Sequence, residues 1–424
     1  MSYFSEANIE GIEAEYPADG RFLKNVAGLS PGELRRLQES RFLKVISRAW
    51  QVPFYARRWR AHGLEPGDIL GLDDIEKIPV FTKSDLMESL EAYPPFGDYH
   101  GVDFVDVEQR RNVVFHTTSG TTGTPQALFF GARDREIQNL LLARAYRLQG
   151  MRDTDIVHSV YGFGMVNGGH FIREAILHYT KALLLPAGTG LETRSESQVE
   201  LMRQFNVSVL VGFSDYIKRL AEVAREKDLL PGRDIRIRMI SGHLGQEPRE
   251  EISELWGGAA VYDWYGVGDT GTIAAEGPDQ DGLYIFEDAH FVELINTETG
   301  AVCGAGEPGA ICDTVLFKDT VYPIIRFNTN DVTTLLPVKS ESRIGFRRIA
   351  GFQGRADSMV KLRGINVYPS AVGAYLLEIE GLSTEYICHV SREDHRDELL
   401  VMVELKPGVA GSTDPTVVAK KNWY

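Results

Sequence analysis

The chain has 424 residues, of which 43% are hydrophobic, and a length beyond the reach of one core implies two or more domains. A formal net charge of -15 excludes nucleic acid or an anionic membrane as the main partner, since both need a basic surface; a small anion needs only local positive charge. The start Met1-Ser2-Tyr3-Phe4-Ser5-Glu6 lacks a basic stretch followed by an apolar one, and no later run is long enough to cross a bilayer, so a cytoplasmic location is expected.

In chain order, Ser30-Pro31-Gly32-Glu33 makes a capping box with proline at the first helical position. Leu34, Leu37, Phe42, Val45, Ile46 and Ala49 follow as one apolar stripe, which predicts a core-facing helix. Next comes His116-Thr-Thr-Ser-Gly-Thr-Thr-Gly-Thr-Pro-Gln126, between the strand-like runs 112–115 and 127–130. Glycines let a backbone close on a ligand with its N–H groups turned inward, and the hydroxyls donate more bonds, so this loop suits a polyphosphate. It is not a Walker site, because no Gly-Lys-Ser/Thr closes it and a strand follows; a plain polar hairpin is the competing reading.

From 110 to 245, short apolar runs (155–160, 207–211) alternate with helical stretches (134–149, 216–227), as a layered parallel α/β sheet requires. Closely spaced strands over 282–334 predict a small β-subdomain. Beyond Gly354 a strand (359–362), a helix (369–379) and two strands (385–390, 398–406) predict a separate α+β unit. The expected division is a large N-terminal domain over 1–353 and a small mobile C-terminal domain over 354–424. Cys303, Cys312 and Cys388 lack CxxC spacing and cannot pair completely, which favours reduced buried thiols over a disulfide framework or a zinc site.

In this order the segments resemble the adenylate-forming ligase superfamily, most closely its phenylacetate-CoA ligase branch. The resemblance is carried by Pro53-Phe54-Tyr55, Ile78-Pro79-Val80-Phe81-Thr82-Lys83-Ser84-Asp85-Leu86, the Thr117 to Pro125 loop, Tyr161-Gly162-Phe163-Gly164, Asp263-Trp264-Tyr265-Gly266, Arg326 to Asp331 and Gly354-Arg355-Ala356-Asp357. Such enzymes join a carboxylic acid to ATP, release pyrophosphate and pass the acyl group to a thiol, usually that of coenzyme A.

The resemblance implies roles. Thr117, Thr118, Ser119, Gly120, Thr121, Thr122 and Gly123 would hold the β- and γ-phosphates, with Thr118 and Ser119 catalytic. Asp331 would take the ribose hydroxyls, with Arg355 nearby. Asp263, Trp264, Tyr265 and Gly266 would edge the adenine, opposite Ser241, Gly242 and His243. Asp269 would hold magnesium. Tyr161, Phe163, Gly164, Gly168, Gly169, Phe213, Tyr216 and His243 would form an acyl pocket suited to an aromatic or arylacetic acid. His170 is a candidate reader of a polar substituent, against a structural role at a helix start. Asp357 would be the hinge, and Lys361, Arg363 and Gly364 would face coenzyme A.

The chain also departs from the pattern. Thr124 stands where a lysine is common, and Gly268 replaces a hydroxyl residue. The family's late lysine has no counterpart in Lys420-Lys421-Asn422-Trp423-Tyr424, so the small domain reads as incomplete. Loss of one such donor often costs about 100- to 1000-fold. Three readings stay open: a shortened chain, slow adenylation, or a substitute cation. The main expectation is an aryl-acid:CoA ligase using ATP, Mg2+ and coenzyme A, with homodimers a family expectation. The alternatives are loading of a carrier protein, or a degenerate protein that binds nucleotide without turnover.

Overall fold

The computed structural model describes residues 2–106, 108, 110–118, 125–245, 247–339, 343–356, 360–362, 365–367, 372–376, 379, 381–393 and 396–406. The capping box behaves as expected: the Ser30 side chain accepts from the Glu33 N–H, Glu33 reaches back to Ser30, and the helix Pro31–Ala49 buries Leu34, Phe42, Val45, Ile46 and Ala49. Phe42 and Val45 join the main hydrophobic core.

The hydroxyl-rich run sits between β1 (Val113–Thr117) and β2 (Ala127–Gly131), paired antiparallel from Val113 opposite Gly131 to Thr117 opposite Ala127. Then come β3 (Ile156–Ser159), β4 (Leu183–Pro186), β5 (Val209–Phe213), β6 (Met239–His243) and β7 (Ala260–Val267), all parallel in the order β4-β3-β5-β6-β7. The apolar run of β5 is buried through Gly212, as a strand covered on both faces demands. Its neighbouring helix Ser214–Glu226 is amphipathic and buries Ile217, Leu220, Val223 and Ala224.

The large sheet continues antiparallel through β8 (Gly271–Glu276) and β9 (Leu283–Ile285). A second, antiparallel sheet is built from β10 (His290–Ile295), β11 (Pro308–Val315) and β12 (Phe327–Thr334). β13 (Arg348–Ile349) returns to the large sheet against β9, and β14 (Gly354–Arg355) pairs with β12. Thus the expected β-subdomain exists but loses its first strand, β9, to the large sheet, because Ile285 and Leu283 fill the apolar layer beside Ile273 and Ile349. Gly354 and Arg355 are likewise tied to that subdomain by their hydrogen bonds to β12.

Past them, β15 (Val360–Leu362) pairs with β16 (Ile365–Val367), the helix Val372–Leu376 follows, and β17 (Leu382–Glu393) and β18 (Arg396–Leu405) form a long hairpin. The mixed α/β class stands. Cys303 and Cys312 are buried and Cys388 is partly buried, and the three form no disulfide.

One element departs from any surface pattern. The helix Ala132–Leu148 is buried almost all round while carrying Asp134, Arg135, Glu136, Gln138, Asn139 and Arg144. Buried charges persist only when paired. Arg135 meets Glu174 at 2.6 Å and Asn167 at 2.6 Å, Glu136 accepts from Tyr3 and Tyr179 at 2.9 Å each, and Arg144 grips Asp288. Among the described residues, no helix is long and apolar enough to cross a membrane.

Candidate active site

The phosphate-loop candidate is closed at its neck. Thr118 N–H donates to the Gln126 carbonyl at 3.0 Å, and Gln126 N–H donates back to Thr118 Oγ1 at 3.0 Å. Thr117 N–H donates to the Met165 carbonyl at 2.8 Å, tying this neck to the loop after β3. Ser119, Gly120, Thr121, Thr122 and Gly123 lie outside the described residues, as do Asp357, Arg363 and Gly364; Lys361 lies in β15.

Beneath the neck sits Asp269, which is 5% exposed. Its Oδ1 accepts from Gln126 Nε2 at 2.6 Å and from Tyr322 OH at 2.8 Å, while its main-chain oxygen accepts from Lys318 Nζ at 2.8 Å. Lys318 is wholly buried against the faces of Tyr322 and Phe130, and desolvation lowers its pKa to about 8. Sequence reasoning missed Gln126, Tyr322 and Lys318 as partners of Asp269. Only Gln126, the last residue of the hydroxyl-rich run, carried any local signal.

A cavity of about 620 Å³ opens where the parallel strands end. In such sheets the carboxyl ends of the strands are where ligands sit. Its lining includes Phe213 at the end of β5, His243 at the end of β6, and Asp263, Trp264, Tyr265 and Gly266 from β7. Asp331 lines it from β12. Its Oδ2 accepts from Tyr265 OH at 2.8 Å and its Oδ1 from Arg355 Nη1 at 3.0 Å. Tyr265 to Asp269 is therefore one short segment linking the carboxylate at 331 to the loop neck.

Asp263 is nearly buried. Desolvation pushes its pKa up to about 7, opposed by the N–H groups of Leu244 and Trp264 that donate to its Oδ1. His243 lies between Phe213, stacked at 5.4 Å, and Trp264 at 4.1 Å. Desolvation among these rings lowers its pKa to about 4, so it is neutral near pH 7.

Of the expected opposite wall, His243 alone reaches the cavity. The Ser241 hydroxyl is buried and donates to Gln149 Oε1 at 2.5 Å. A Cβ on Gly242 would fall 1.8 Å from the Gly212 carbonyl oxygen, so this glycine serves strand packing. Tyr216 also stays out of the lining, its hydroxyl shared with Ser195 at 2.9 Å and Gln198 at 3.1 Å.

Tyr161 follows β3 and meets Phe213 edge-on at 5.0 Å. Tyr161, Phe163, Gly164, Gly168 and Gly169, expected in the acyl pocket, stay out of the cavity lining; a Cβ on Gly168 would touch the Tyr161 ring at 3.8 Å, whereas one on Gly169 would strike the Gly162 carbonyl at 2.3 Å. Phe163 packs edge-on against His170 at 5.4 Å, and His170 Nε2 pairs with the Gly164 carbonyl at 2.9 Å, which fits the structural role for that histidine. The cavity also takes in Glu247, Phe352, Gly373 and Tyr386, none singled out from the sequence because each comes from a distant loop, helix or strand.

Residues 364–421 match the family of AMP-binding enzyme C-terminal domains. Over 389 residues the chain is 32% identical to the phenylacetate-coenzyme A ligase of Escherichia coli (strain K12), covering 89% of this chain and 84% of that one. The chain belongs to the phenylacetate-CoA ligase family. This ligase is also 31% identical to the phenylacetate-coenzyme A ligase of Pseudomonas putida, over 92% of its own length and 86% of the relative's. Among solved structures, 2-hydroxyisobutyryl-CoA ligase in the postadenylation state with 2-HIB-AMP is 28% identical with a TM-score of 0.80, covering 90% of the ligase and 80% of that chain. The same protein with 2-HIB-AMP and CoA in the thioesterification state gives a TM-score of 0.72, covering 89% and 80%. By family, then, the ligase is an AMP-forming acid–CoA ligase that uses ATP and coenzyme A.

Proposed function

We propose that the acid activated is aromatic or arylacetic, and that the cavity at the strand ends holds its adenylate. The observation that carries this is the aromatic enclosure of Phe213, His243 and Trp264 directly beside Asp331. A flat apolar slot suits a ring, and a carboxylate next to it suits a ribose diol. In this reading Tyr265 and Arg355 orient Asp331 toward the ribose, and Asp263 edges the adenine. Thr117 to Gly123 hold the two outer phosphates, whose growing charge the backbone amides stabilise.

Asp269 fits magnesium in one respect. Gln126 and Tyr322 fix one carboxylate oxygen, and a hard cation takes one carboxylate together with phosphate oxygens. When bound, the ion would neutralise charge on the departing pyrophosphate. The small unit beyond Asp357 would turn about that residue, bringing Lys361, Arg363 and Gly364 to the thiol's path, while Gly354 and Arg355 stay paired with β12.

The test is AMP release from ATP, magnesium and CoA with phenylacetate, benzoate, 2-hydroxyisobutyrate and acetate. Phenylacetate or benzoate should be the preferred acid, with acyl-CoA as product. Absence of AMP with either aromatic acid would sink the reading. AMP formed without any thioester on free CoA would point instead to a carrier-protein thiol.

A further inference from the structure

Lys318 is wholly buried, yet among the described residues its ammonium makes one hydrogen bond, to the main-chain oxygen of Asp269 at 2.8 Å. Its other contacts are ring faces, Tyr322 with its centroid 4.3 Å away and Phe130 at 5.1 Å. An ammonium buried with no carboxylate bonded to it weakens a fold, so packing is a poor reason for its place. The three contacts supply a better one. Asp269 lies in the short turn between β7 and β8, with Gly268 before it and Gly271, at φ +81°, two residues after it, so the turn by itself specifies that backbone loosely. Phe130 belongs to β2, the strand that leaves the hydroxyl-rich loop. Tyr322 offers its face to Lys318 and its hydroxyl to Asp269 Oδ1 at 2.8 Å. One ammonium thus joins the stem of the loop to the turn that carries the carboxylate. Gln126 and Tyr322 both donate to Oδ1, which leaves Oδ2 without a hydrogen bond among the described residues.

We propose that Lys318 is a positioning residue for the metal: it fixes the main chain of Asp269 so that the second carboxylate oxygen is presented to the magnesium that accompanies ATP. This rests on the reading of Asp269 as the metal's carboxylate. Enclosed as it is, Lys318 acts through Asp269 and touches no ligand itself. Groups that hold a metal ligand from behind typically account for about 10- to 100-fold in metal affinity or activity. The competing role is charge balance, since Asp134, Asp269 and Asp313 lie near enough to favour the ammonium. Under that role, removing Lys318 would lower stability and leave the metal's binding as it was.

The test uses Lys318→Met, which keeps a long apolar stem between the two rings and removes the donor. Lys318→Gln, one atom shorter and uncharged, carries the same measurements if the first variant does not fold. Calorimetry of ATP binding, without acid or CoA, gives the factor by which magnesium tightens ATP. In the variant that factor should fall by about tenfold or to one, while ATP binding in EDTA and the melting temperature of the free protein stay close to wild type. The magnesium needed for half-maximal AMP release should rise by roughly 10- to 100-fold. A magnesium factor and a magnesium curve both within about threefold of wild type overturn the inference. So does a free variant that melts several degrees lower, or the failure of both variants to fold, since either gives Lys318 the balancing role. Asp269→Asn with an unmoved magnesium curve would instead refute the metal reading on which the inference stands.

Discussion

Asp331→Asn isolates the nucleotide end of the site. The side chain keeps its shape, but one acceptor oxygen becomes an NH2 donor. That NH2 must face either the Tyr265 hydroxyl, which can turn to accept, or the Arg355 guanidinium, which cannot. The amide therefore turns its NH2 to Tyr265 and keeps its oxygen on Arg355, which loses the ionic part of the pair and not the hydrogen bond. The Arg355 side chain is 45% exposed, so the pair itself contributes at most about 1 kcal/mol. The larger effect falls on the ribose, where a charged acceptor for two hydroxyls becomes a neutral one with a single oxygen. Charge-assisted bonds contribute about 1.5–3 kcal/mol, which converts to a fall of roughly 10- to 150-fold in kcat/KM for ATP. Initial rates of AMP formation at varied ATP and saturating acid measure it, with most of the change in the KM for ATP. An ATP KM within threefold of wild type, or a change confined to the acid's KM, would refute the assignment of Asp331.

Gly242→Ala should fail to fold at growth temperature or lose at least about 1–3 kcal/mol in denaturant, since its Cβ meets the Gly212 backbone and β5 and β6 must part; wild-type melting would contradict the packing. Asp263→Asn should become more stable relative to wild type as pH rises from about 4 to about 7. The folded carboxyl has its pKa raised, so its burial costs nothing when protonated and up to about 4 kcal/mol once ionised; a gap that stays flat over that range counts against it. Arg144→Met strands Asp288, which is fully buried and accepts three bonds from Arg144, and should cost about 3–5 kcal/mol; adding Asp288→Leu should recover much of it in urea melts, and no recovery would disprove pairing as the cause. Asp269→Asn should raise the magnesium needed for half-maximal AMP release by about tenfold or more, and an unchanged magnesium curve would remove Asp269 from the metal's path.

Local order was legible wherever neighbours in sequence are neighbours in space. Ser30 and Glu33 start a helix by themselves, the strand-like runs at 112–115 and 127–130 pair across their own loop, and alternation over 110–245 leaves little choice but a parallel sheet. Spacing could not show which residue of Ser241-Gly242-His243 meets the cavity. Ser241 and His243 share a strand face, and only the end of that strand is left open by Gln149.

Motif order along the chain determined the enzyme family, because those loops need glycines, hydroxyls and carboxylates within a few residues of one another. Tertiary structure alone decided how the site is supported. Asp269 is held by Gln126 and Tyr322, 143 and 53 positions away, and the charged groups of a buried helix find their partners in Tyr3, Glu174 and Asp288. The physical reason is that pairing a buried charge is a condition on space, and no periodicity of one segment records which distant segment will satisfy it.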